Sequence, residues 1–385
     1  MRVVVDARPA LDARKTGVGY YTSNLLRALP AAAVGDEITA WYLHARGLFR
    51  PRTFFADVGG LHERASRLPA RLFEPVSSRL GEPRLERLVD FDVLLATNFL
   101  PPATASPGVV LVVHDLAFRK FPETAPHMEG RWLRRFETWL ADAARVIVPS
   151  ASAAHDLAEL YDVDPSRIDA IHHGVEAHAF RPAPEQVVGG VRRRFGVAGP
   201  YILFVGGIEP RKNLDRLVRA FGQLRDLDDV SLVIAGGPVR WFPAAVQALD
   251  AAVAALPERA RARVIRTGYV TQADKVALMT GATMMAYPSR YEGFGFPVLE
   301  AFAAGLPVLT SNVSSLPEIA GEAAELVDPD DTDAIAAALE RMLRDRDLLG
   351  NLAAAGVARV SGFTWEATAR ATVASLRRAF VAARR

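Results

Sequence analysis

Two glutamates eight positions apart, Glu292 and Glu300, stand on either side of a Gly-Phe-Gly loop that leads into a predicted helix. Glu300 falls within the first turns of that helix, too deep to be a simple cap, whereas Glu292 stands at the mouth of the loop. The backbone N–H groups of Phe294, Gly295 and Phe296 follow Glu292 closely. Because carboxylates accept hydrogen bonds from hydroxyl groups and N–H groups donate to them, the segment predicts a site for a hydroxyl-rich ligand such as a sugar. The alternative is a capped helix with a surface glutamate.

A second group of residues predicts an anion site. Gly206 and Gly207 follow the apolar run 201–205, and Arg211 and Lys212 precede a predicted helix. Glycines, two adjacent cations and the N-terminus of a helix together favour a phosphate group. Lys212 is one of only four lysines among 46 basic residues, so its residue type is informative. The alternative is an ordinary capped helix with exposed cations.

The first half of the chain carries two weaker signals. Gly17 and Gly19 precede a predicted helix and would let backbone N–H groups approach a phosphate, although Thr22 stands where a dinucleotide fingerprint has its third glycine. A tight turn is the alternative for this pair. His114 and Asp115 end a predicted buried strand, where a ligand could accept a hydrogen bond or a proton from them. A structural histidine is the alternative there.

These residues need a scaffold that brings distant loops together, and the hydrophobic pattern predicts one. Short apolar runs typical of buried parallel strands alternate with longer helical patterns. The predicted fold class is therefore α/β, with two Rossmann-like, doubly wound parallel sheets facing across a cleft. Ligands of such sheets bind outside the carboxyl ends of the strands, where the motifs above are placed. The predicted strands are 3–5, 38–43, 93–96, 109–113, 146–148, 168–171, 201–205, 230–235, 264–265, 283–287, 307–310 and 324–327.

One interruption of this pattern predicts the domain boundaries. Residues 181–190 contain two prolines and two glycines without periodicity, which indicates a linker over 181–200. The linker would join an N-terminal domain over 1–180 to a C-terminal domain over 201–364. A final helix over 365–385 could pack on either domain.

Composition narrows the class of protein. Half of the residues are hydrophobic, 23% are charged and the net charge is only +2, which is typical of a globular protein and argues against a nucleic-acid partner. A chain without cysteine has no disulfide, thiolate metal site or Cys nucleophile. The N-terminus resembles a first strand more than a signal peptide, and no apolar run approaches the ~18–20 residues of a membrane helix. We expect a cytoplasmic protein without cofactor or metal, attached to a membrane only peripherally.

Residues 46–87 form a basic segment with nine arginines against five acidic residues and interleaved Leu and Phe. One interpretation is a solvated loop and helix with salt bridges. The other is a surface attracted to anionic lipid at the inner face of the cytoplasmic membrane, or to an anionic lipid-linked acceptor. The cations Arg64, Arg67 and Arg71 would distinguish the two.

With these motifs in place, the sequence resembles the retaining glycosyltransferases of family 4, which have the two-domain GT-B fold. Within them it is similar to bacterial mannosyltransferases of surface polysaccharide assembly. The resemblance covers nearly the whole chain and is most specific in the Glu-x7-Glu motif from Glu292 to Glu300. It implies that the N-terminal domain lies on the acceptor side and that the C-terminal domain binds a nucleotide sugar.

The resemblance also implies roles for residues of the C-terminal domain. Glu300 would bind the ribose hydroxyls of the donor, and Lys212 would hold its diphosphate. Glu292 would hold the transferred sugar together with the N–H groups of Phe294, Gly295 and Phe296. The remaining donor-binding residues are Gly206, Gly207, Ser289 and Gly293, with Gly268, Tyr269 and Val270 at the base through their main chain.

Two further implications and one departure complete the site. His114 would reach the sugar near the reacting face, and Gly17 or Gly19 would close over the donor from the other domain. Family members often have an arginine directly after the first glycine of the phosphate loop, where this sequence has Gly207. Arg211, beside Lys212, would then supply the second cation.

The expected reaction is transfer of a hexosyl group from a nucleoside diphosphate sugar to a glycan or lipid-linked acceptor. GDP-mannose is the favoured donor and UDP-sugars follow. Arg211, Lys212 and the helix N-terminus would stabilise the leaving diphosphate without a divalent metal, and a front-face route would retain the anomeric configuration. The alternatives are a sugar-nucleotide epimerase, a phosphorylase-like enzyme and a non-catalytic sugar-nucleotide-binding protein.

Overall fold

The computed structural model describes residues 1–11, 16–44, 53–66, 73, 76, 82–122, 125 and 128–384. It divides the chain into two compact units. The first unit contains 1–116, 127–174 and 364–385, and the second contains 117–126 and 175–363.

The first unit is built on a seven-stranded parallel sheet with the order β3-β2-β1-β4-β5-β6-β7. The strands next to the centre are apolar and buried because helices cover both faces of a doubly wound sheet. The direction of the strand order reverses between β1 and β4, so the topological switch point lies between these two strands. The strands are β1 (Arg2–Asp6), β2 (Glu37–Leu43), β3 (Leu61–Ser66), β4 (Val93–Ala96), β5 (Val109–Val112), β6 (Arg145–Val148) and β7 (Ile168–Ala170).

Four helices of the described residues belong to this unit, and the C-terminal one packs within it. The last helix lies against the first helix and against strands β4–β6. A Cβ atom at Gly174 would lie 2.3 Å from the backbone nitrogen of Trp365, so the glycine permits this close approach. The helices are α1 (Gly17–Ala32), α3 (Arg131–Asp142), α4 (Ala151–Tyr161) and α14 (Trp365–Ala382).

The second unit is built on a six-stranded parallel sheet with the order β10-β9-β8-β11-β12-β13. Its switch point lies between β8 and β11, which are neighbours in the sheet although two strands separate them in sequence. The strands are β8 (Tyr201–Val205), β9 (Ser231–Ala235), β10 (Val264–Gly268), β11 (Met284–Tyr287), β12 (Val308–Ser311) and β13 (Ala324–Val327). The helices are α2 (Ala117–Lys120), α5 (Glu185–Phe195), α6 (Leu214–Gly222), α7 (Pro243–Ala254), α8 (Glu258–Arg261), α9 (Gln272–Gly281), α10 (Phe296–Ala303), α11 (Leu316–Ala320), α12 (Thr332–Arg344) and α13 (Arg346–Val360).

Two elements differ from the sequence-based expectation. The expected linker over 181–200 contains helix α5, which packs on α9 inside the second unit; its apolar positions, with Val188 and Val191 buried, are too few to form a pattern visible against the glycines. The basic segment 46–87 contains the strand β3, which the expectation of a loop and helix missed. β3 lies at the edge of the sheet and carries His62, Glu63 and Arg64, and such polar edge strands lack an apolar signature.

Within the described part of the chain, no helix is both long enough and apolar enough to cross a membrane.

Candidate functional site

The residues of the second unit that are predicted to bind the nucleotide sugar lie at one edge of its sheet. The loops after β8, β10 and β11 supply residues 206–213, 268–270 and 288–296. Because the strands are parallel, their carboxyl ends share one edge, and β8 and β11 flank the switch point. The structure therefore brings three motifs that are distant in sequence to one crevice of this unit.

The loop after β8 depends on glycines for a close backbone contact. A Cβ atom at Gly236, which follows β9, would lie 1.7 Å from the carbonyl oxygen of Gly206, and a Cβ atom at Gly207 would lie 2.7 Å from Val239. The amide of Ile208 donates to the carbonyl of Gly237 at 3.0 Å. The sequence analysis missed Gly236, although a Gly-Gly pair directly after a buried strand is a signal for such an approach.

Lys212 and Glu292 form the centre of the site across the switch point. Nζ of Lys212 donates to Oε1 of Glu292 at 2.5 Å and also to the hydroxyl of Tyr287, which in turn donates to the same carboxylate oxygen at 2.9 Å. Nη1 of Arg211 donates to Oε2 of Glu292 at 2.7 Å. The side chains of Lys212 and Glu292 are each only 8% exposed. The alternative interpretation, a capped helix with exposed cations, is therefore wrong for Lys212, because the loop after β11 covers it.

Two opposing effects set the charge of Glu292. Burial alone would raise the pKa of this carboxyl, but the positive charges of Arg211 and Lys212 outweigh burial and lower the pKa to about 2. Burial and Arg211 lower the pKa of Lys212, and Glu292 offsets part of that effect. Burial, followed by the charge of Glu292, raises the pKa of Tyr287, which stays protonated as a donor.

Three residues that sequence reasoning missed complete this cluster. Oε2 of Glu209 accepts from Nε of Arg211 at 2.9 Å, so two carboxylates balance two cations. Asn213 is buried and has a left-handed backbone conformation at φ +60°. Its Nδ2 donates to the carbonyl of Pro288, in the loop after β11, and to that of Pro329, after β13, so it connects both segments to its own loop. Tyr287 ends β11 and had the appearance of a core residue. Asn213 had a signal, because asparagine before a helix tolerates this conformation.

The loop after β11 turns sharply into helix α10. Gly295 caps the helix at φ +117°, a conformation that strains other residues, and Phe294 is buried beside Phe296 with ring centroids 5.2 Å apart. The hydroxyl of Ser315 donates to the carbonyls of Glu292 and Phe294 at 2.9 and 2.7 Å. Two predicted donor residues, Ser289 and Gly293, lie in the same loop, and Ser289 is fully buried.

Glu300 and residues 268–270, which are predicted to contact the nucleotide base, lie farther along the same edge of the sheet. Both carboxylate oxygens of Glu300 accept from Nζ of Lys275 at 2.8 Å. Burial raises the pKa of Glu300, and Lys275 opposes that rise. Gly268 ends β10 at φ +69°, Tyr269 is 76% exposed, and Val270 packs against the core. Sequence analysis placed no role on Lys275, although it is one of four lysines.

In the first unit, the structure moves the glycine pair into a helix. Gly17 and Gly19 lie in the first turn of α1, not in a loop before it, and the hydroxyl of the N-cap Thr16 accepts from the amide of Gly19 at 3.4 Å. The helix begins earlier than predicted because Thr16 caps it. The helix N-terminus remains at the carboxyl end of β1, where an anion would be favoured.

His114 is a partly buried residue that follows β5. Its Nε2 lies 2.9 Å from the carbonyl oxygen of Thr97, and since a carbonyl only accepts, Nε2 carries the proton and Nδ1 is the acceptor. Burial lowers the pKa of His114, so the ring is neutral at pH 7. The rings of Tyr21 and His173 lie 5.0 and 5.7 Å from it between centroids. This environment fits a ring that forms hydrogen bonds better than one that carries charge.

A cavity of about 540 Å³ opens at the switch point of the first sheet. Its floor holds the buried carboxylate of Asp6, which accepts from Nε and Nη2 of Arg8 at 2.8 and 2.7 Å. Its walls include Phe99 and Trp132, whose ring centroids are 5.7 Å apart, and Arg135. Aromatic walls with a few polar groups are typical of sites for organic ligands. The sequence analysis did not predict this lining.

Two family models of known proteins match this chain, one in each half. The family model described as Glycosyltransferase Family 4 matches residues 15–179, and the model described as Glycosyl transferases group 1 matches residues 193–359. The O-antigen chain mannosyltransferase B of Escherichia coli is 29% identical over 91% of this chain and 93% of its own length. The D-inositol 3-phosphate glycosyltransferase of Frankia alni is 33% identical over 66% of this chain and 63% of its own length.

Among solved structures, the sucrose-phosphate synthase of Thermosynechococcus elongatus has a TM-score of 0.76 at 21% identity and covers 99% of both chains. At that identity the likeness shows the fold. The two family models match the two halves of the chain in sequence order, and each unit carries its own doubly wound parallel sheet. The chain therefore belongs to the family 4 and group 1 glycosyltransferases and has the GT-B fold.

Proposed function

We propose that this glycosyltransferase moves a hexosyl group from a nucleoside diphosphate sugar to a glycan acceptor, which includes lipid-linked glycans. The observation that carries the proposal is the buried cluster of Arg211, Lys212 and Glu292, with Glu300 on the helix that follows. The name of the Escherichia coli relative, an O-antigen mannosyltransferase, supports mannose, and GDP-mannose is therefore the first donor to test. A UDP-sugar is the second.

The charge balance of the cluster supports a specific sequence of contacts. Glu292 holds Arg211 and Lys212 in place before the donor arrives, and the incoming diphosphate would compete with it for Lys212. A carboxylate oxygen released from Lys212 would then accept from a hydroxyl of the transferred sugar. The two cations would meet the negative charge that develops on the leaving diphosphate, where preorganised charges have their largest effect.

We infer retention of configuration by a front-face route without a divalent metal. The two cations on Glu292 lower its pKa to about 2, and a carboxylate of such low basicity is a poor nucleophile for a covalent intermediate. The leaving phosphate would deprotonate the acceptor hydroxyl instead. Proton NMR of the product's anomeric centre tests retention, and turnover after EDTA treatment tests metal independence.

The cavity of the first unit supports an acceptor site. Trp132 and Phe99 offer aromatic faces to a sugar ring, and Arg8 and Arg135 offer hydrogen-bond donors to its substituents. We expect Trp132→Ala to raise the KM for the acceptor more than the KM for the donor. An equal rise in both would contradict the assignment.

Incubation with radiolabelled GDP-mannose, UDP-glucose and UDP-N-acetylglucosamine tests the reaction class. Label transferred to a glycan or lipid extract supports the proposal. Interconversion of the nucleotide sugar would indicate an epimerase, phosphate-dependent release a phosphorylase, and binding without turnover a non-catalytic protein. The Lys212→Ala variant is the control for label that moves without this site.

Attachment to an anionic membrane surface at the cytoplasmic face stays a prediction. Of its three test residues, Arg67 and Arg71 lie outside the described part of the chain, and Nε of Arg64 donates to the carbonyl of Leu88 at 3.2 Å. Charge reversal at all three should reduce co-sedimentation with anionic vesicles, and high salt should have the same effect by screening. Unchanged co-sedimentation would contradict the prediction.

A further inference from the structure

Lys275 forms an ion pair with Glu300, one of the residues predicted to bind the nucleotide sugar, although Lys275 itself was not predicted to bind it. It lies on helix α9, which follows the base loop 268–270, and its Nζ donates to both carboxylate oxygens of Glu300 at 2.8 Å. The side chains of Lys275 and Glu300 are only 15% and 16% exposed. An ammonium shared equally by both oxygens fixes the plane of the carboxylate on helix α10.

The turn that contains Phe180 also contacts the ammonium group of Lys275. Nζ of Lys275 lies 4.9 Å from the ring centroid of Phe180, in the turn Ala177–Phe180, and helix α10 packs on that turn. A lysine ammonium has three donors, and two of them are used on Glu300. An ionised carboxylate offers about four acceptor sites, so two remain on Glu300 for the hydroxyls of a ligand.

The charge of Lys275 also matters for a negatively charged ligand. A buried carboxylate beside a nucleoside diphosphate would either repel the ligand or take up a proton and lose an acceptor site. Burial does raise the pKa of Glu300, and Lys275 opposes the rise by charge and by hydrogen bonding. The ion pair therefore opposes protonation of Glu300 and offsets the negative charge that an ionised Glu300 would add to the nucleotide-sugar site.

We propose that Lys275 is a positioning residue that orients Glu300 toward the ribose hydroxyls and thereby sets the preference for a ribonucleotide donor over its deoxy form. The inference rests on the proposed function, because the ribose contact of Glu300 belongs to it. Lys275 acts through Glu300, so removing Lys275 should have no effect once Glu300 is neutral.

Calorimetric binding of UDP and GDP, each compared with its 2′,3′-dideoxy counterpart, measures that preference. The proteins are the full-length chain, Lys275→Met, Glu300→Gln and the double variant. The matched control is Arg219→Met, which removes an exposed cation whose partner Asp215 lies on the same helix, α6. We expect the unaltered chain to prefer the ribonucleotide roughly 10- to 100-fold, as for hydrogen bonds to a charged group.

Lys275→Met and Glu300→Gln should each reduce the preference to below about threefold, and the double variant should lose nothing further, as for two residues that act as one unit. Arg219→Met should keep the full preference. In turnover, Lys275→Met should raise the donor KM while kcat changes by less than about threefold, a split that general loss of structure does not produce.

The outcomes separate the two levels of inference. Failure of the unaltered chain to bind either nucleotide, or to prefer the ribo form, overturns the proposed donor site. A clear preference that survives in folded Lys275→Met overturns the role of Lys275 alone. If Lys275→Met does not fold, Lys275→Leu takes its place, since it also donates nothing to Glu300; full preference in the folded Leu variant overturns the role as well.

Discussion

Glu292 is buried and Glu300 is partly buried, and although both belong to one sequence motif, their surroundings shift their pKa values in opposite directions. Glu292 accepts from Arg211, Lys212 and Tyr287, and the two cations lower its pKa to about 2. Glu300 accepts from Lys275 alone among the partners described, and burial raises its pKa. The spacing of the motif therefore specifies where each carboxylate lies, whereas the number of neighbouring cations determines the direction in which its pKa is shifted.

The comparison predicts different tasks for the two carboxylates. Glu292 is part of a network that also holds both candidate phosphate-binding cations, so changes there should affect the reacting groups. Glu300 belongs to a separate pair on helix α10, so changes there should affect binding of the donor.

Lys212→Ala should lower kcat by roughly 10²–10³, the usual loss for one preorganised electrostatic donor. Lys212→Arg should recover only part, because a planar fork does not replace a compact ammonium. Since Lys212 is buried on Glu292, the Ala variant should also lose about 1–3 kcal/mol of unfolding free energy, unlike the exposed cation that the sequence suggested. Steady-state kinetics and denaturant unfolding measure both, with Arg219→Ala as control.

Turnover of Lys212→Ala near that of the unaltered enzyme would falsify the phosphate-site assignment. A loss of stability without a loss of kcat would make Lys212 a structural partner of Glu292 only.

Glu292→Ala and Glu300→Ala should give opposite kinetic patterns. In the proposed function Glu292 contacts the reacting sugar, so its removal should lower kcat by about 10². Glu300 would contact the ribose equally in the ground state and the transition state, so its removal should raise the donor KM roughly 10-fold and change kcat little. Initial-rate kinetics over a range of donor concentrations separate the two. The reverse pattern would mean that the roles are exchanged.

The segments that carry Glu292 and Glu300 could be located from the sequence better than the residues that contact these two carboxylates. Apolar runs and glycines located β8 and β11 and the motifs after them, because strand burial and tight turns leave local signals. Lys275 reaches Glu300 from another helix, and Tyr287 reaches Glu292 from a strand end, so both contacts depend on tertiary packing. The polar edge strand β3 gave no periodic signal, and helix α5 was hidden by glycines.

The stability of the two Gln variants should depend on pH with opposite slopes. The folded-state pKa of Glu292 is about 2 against an ordinary 4.5, so its ionisation stabilises the fold above pH 4.5 and that contribution is lost as pH falls toward 2. The raised pKa of Glu300 acts in the opposite sense: its contribution is present at low pH and is lost as pH rises through the folded-state pKa.

Unfolding free energies of the unaltered chain, Glu292→Gln and Glu300→Gln between pH 3 and 7, in steps of about one unit, test these signs. On acidification, the advantage of the unaltered chain over Glu292→Gln should shrink, by up to on the order of 2–3 kcal/mol for a shift of this size. Its advantage over Glu300→Gln should grow over the same range. Parallel curves for the two variants would show that the carboxylates share one environment.

The smallest effect is expected for Tyr287→Phe, which removes one hydroxyl from the Glu292 cluster and keeps the ring stacked near Phe204. Lys212 and Arg211 still neutralise Glu292, so the orientation of the carboxylate loosens while its charge pairing remains. A hydrogen bond to a charged group contributes about 1.5–3 kcal/mol to stability. Because the two cations keep most of the orientation of Glu292, we expect about 1 kcal/mol of this to be lost in the transition state, so kcat should fall roughly 5-fold with little change in the donor KM.

Tyr201→Phe is the matched control for that variant, because it removes a buried tyrosine hydroxyl that donates to the carbonyl of Leu278 at 2.7 Å, outside the Glu292 cluster. Tyr287→Phe should lose at least as much unfolding free energy as Tyr201→Phe, since its hydroxyl donates to Glu292 and also accepts from Lys212. Only Tyr287→Phe should lower kcat, because only its hydroxyl donates to Glu292, the carboxylate that we propose contacts the reacting sugar. Equal kcat in the two variants would assign Tyr287 to packing and leave Glu292 positioned by its two cations.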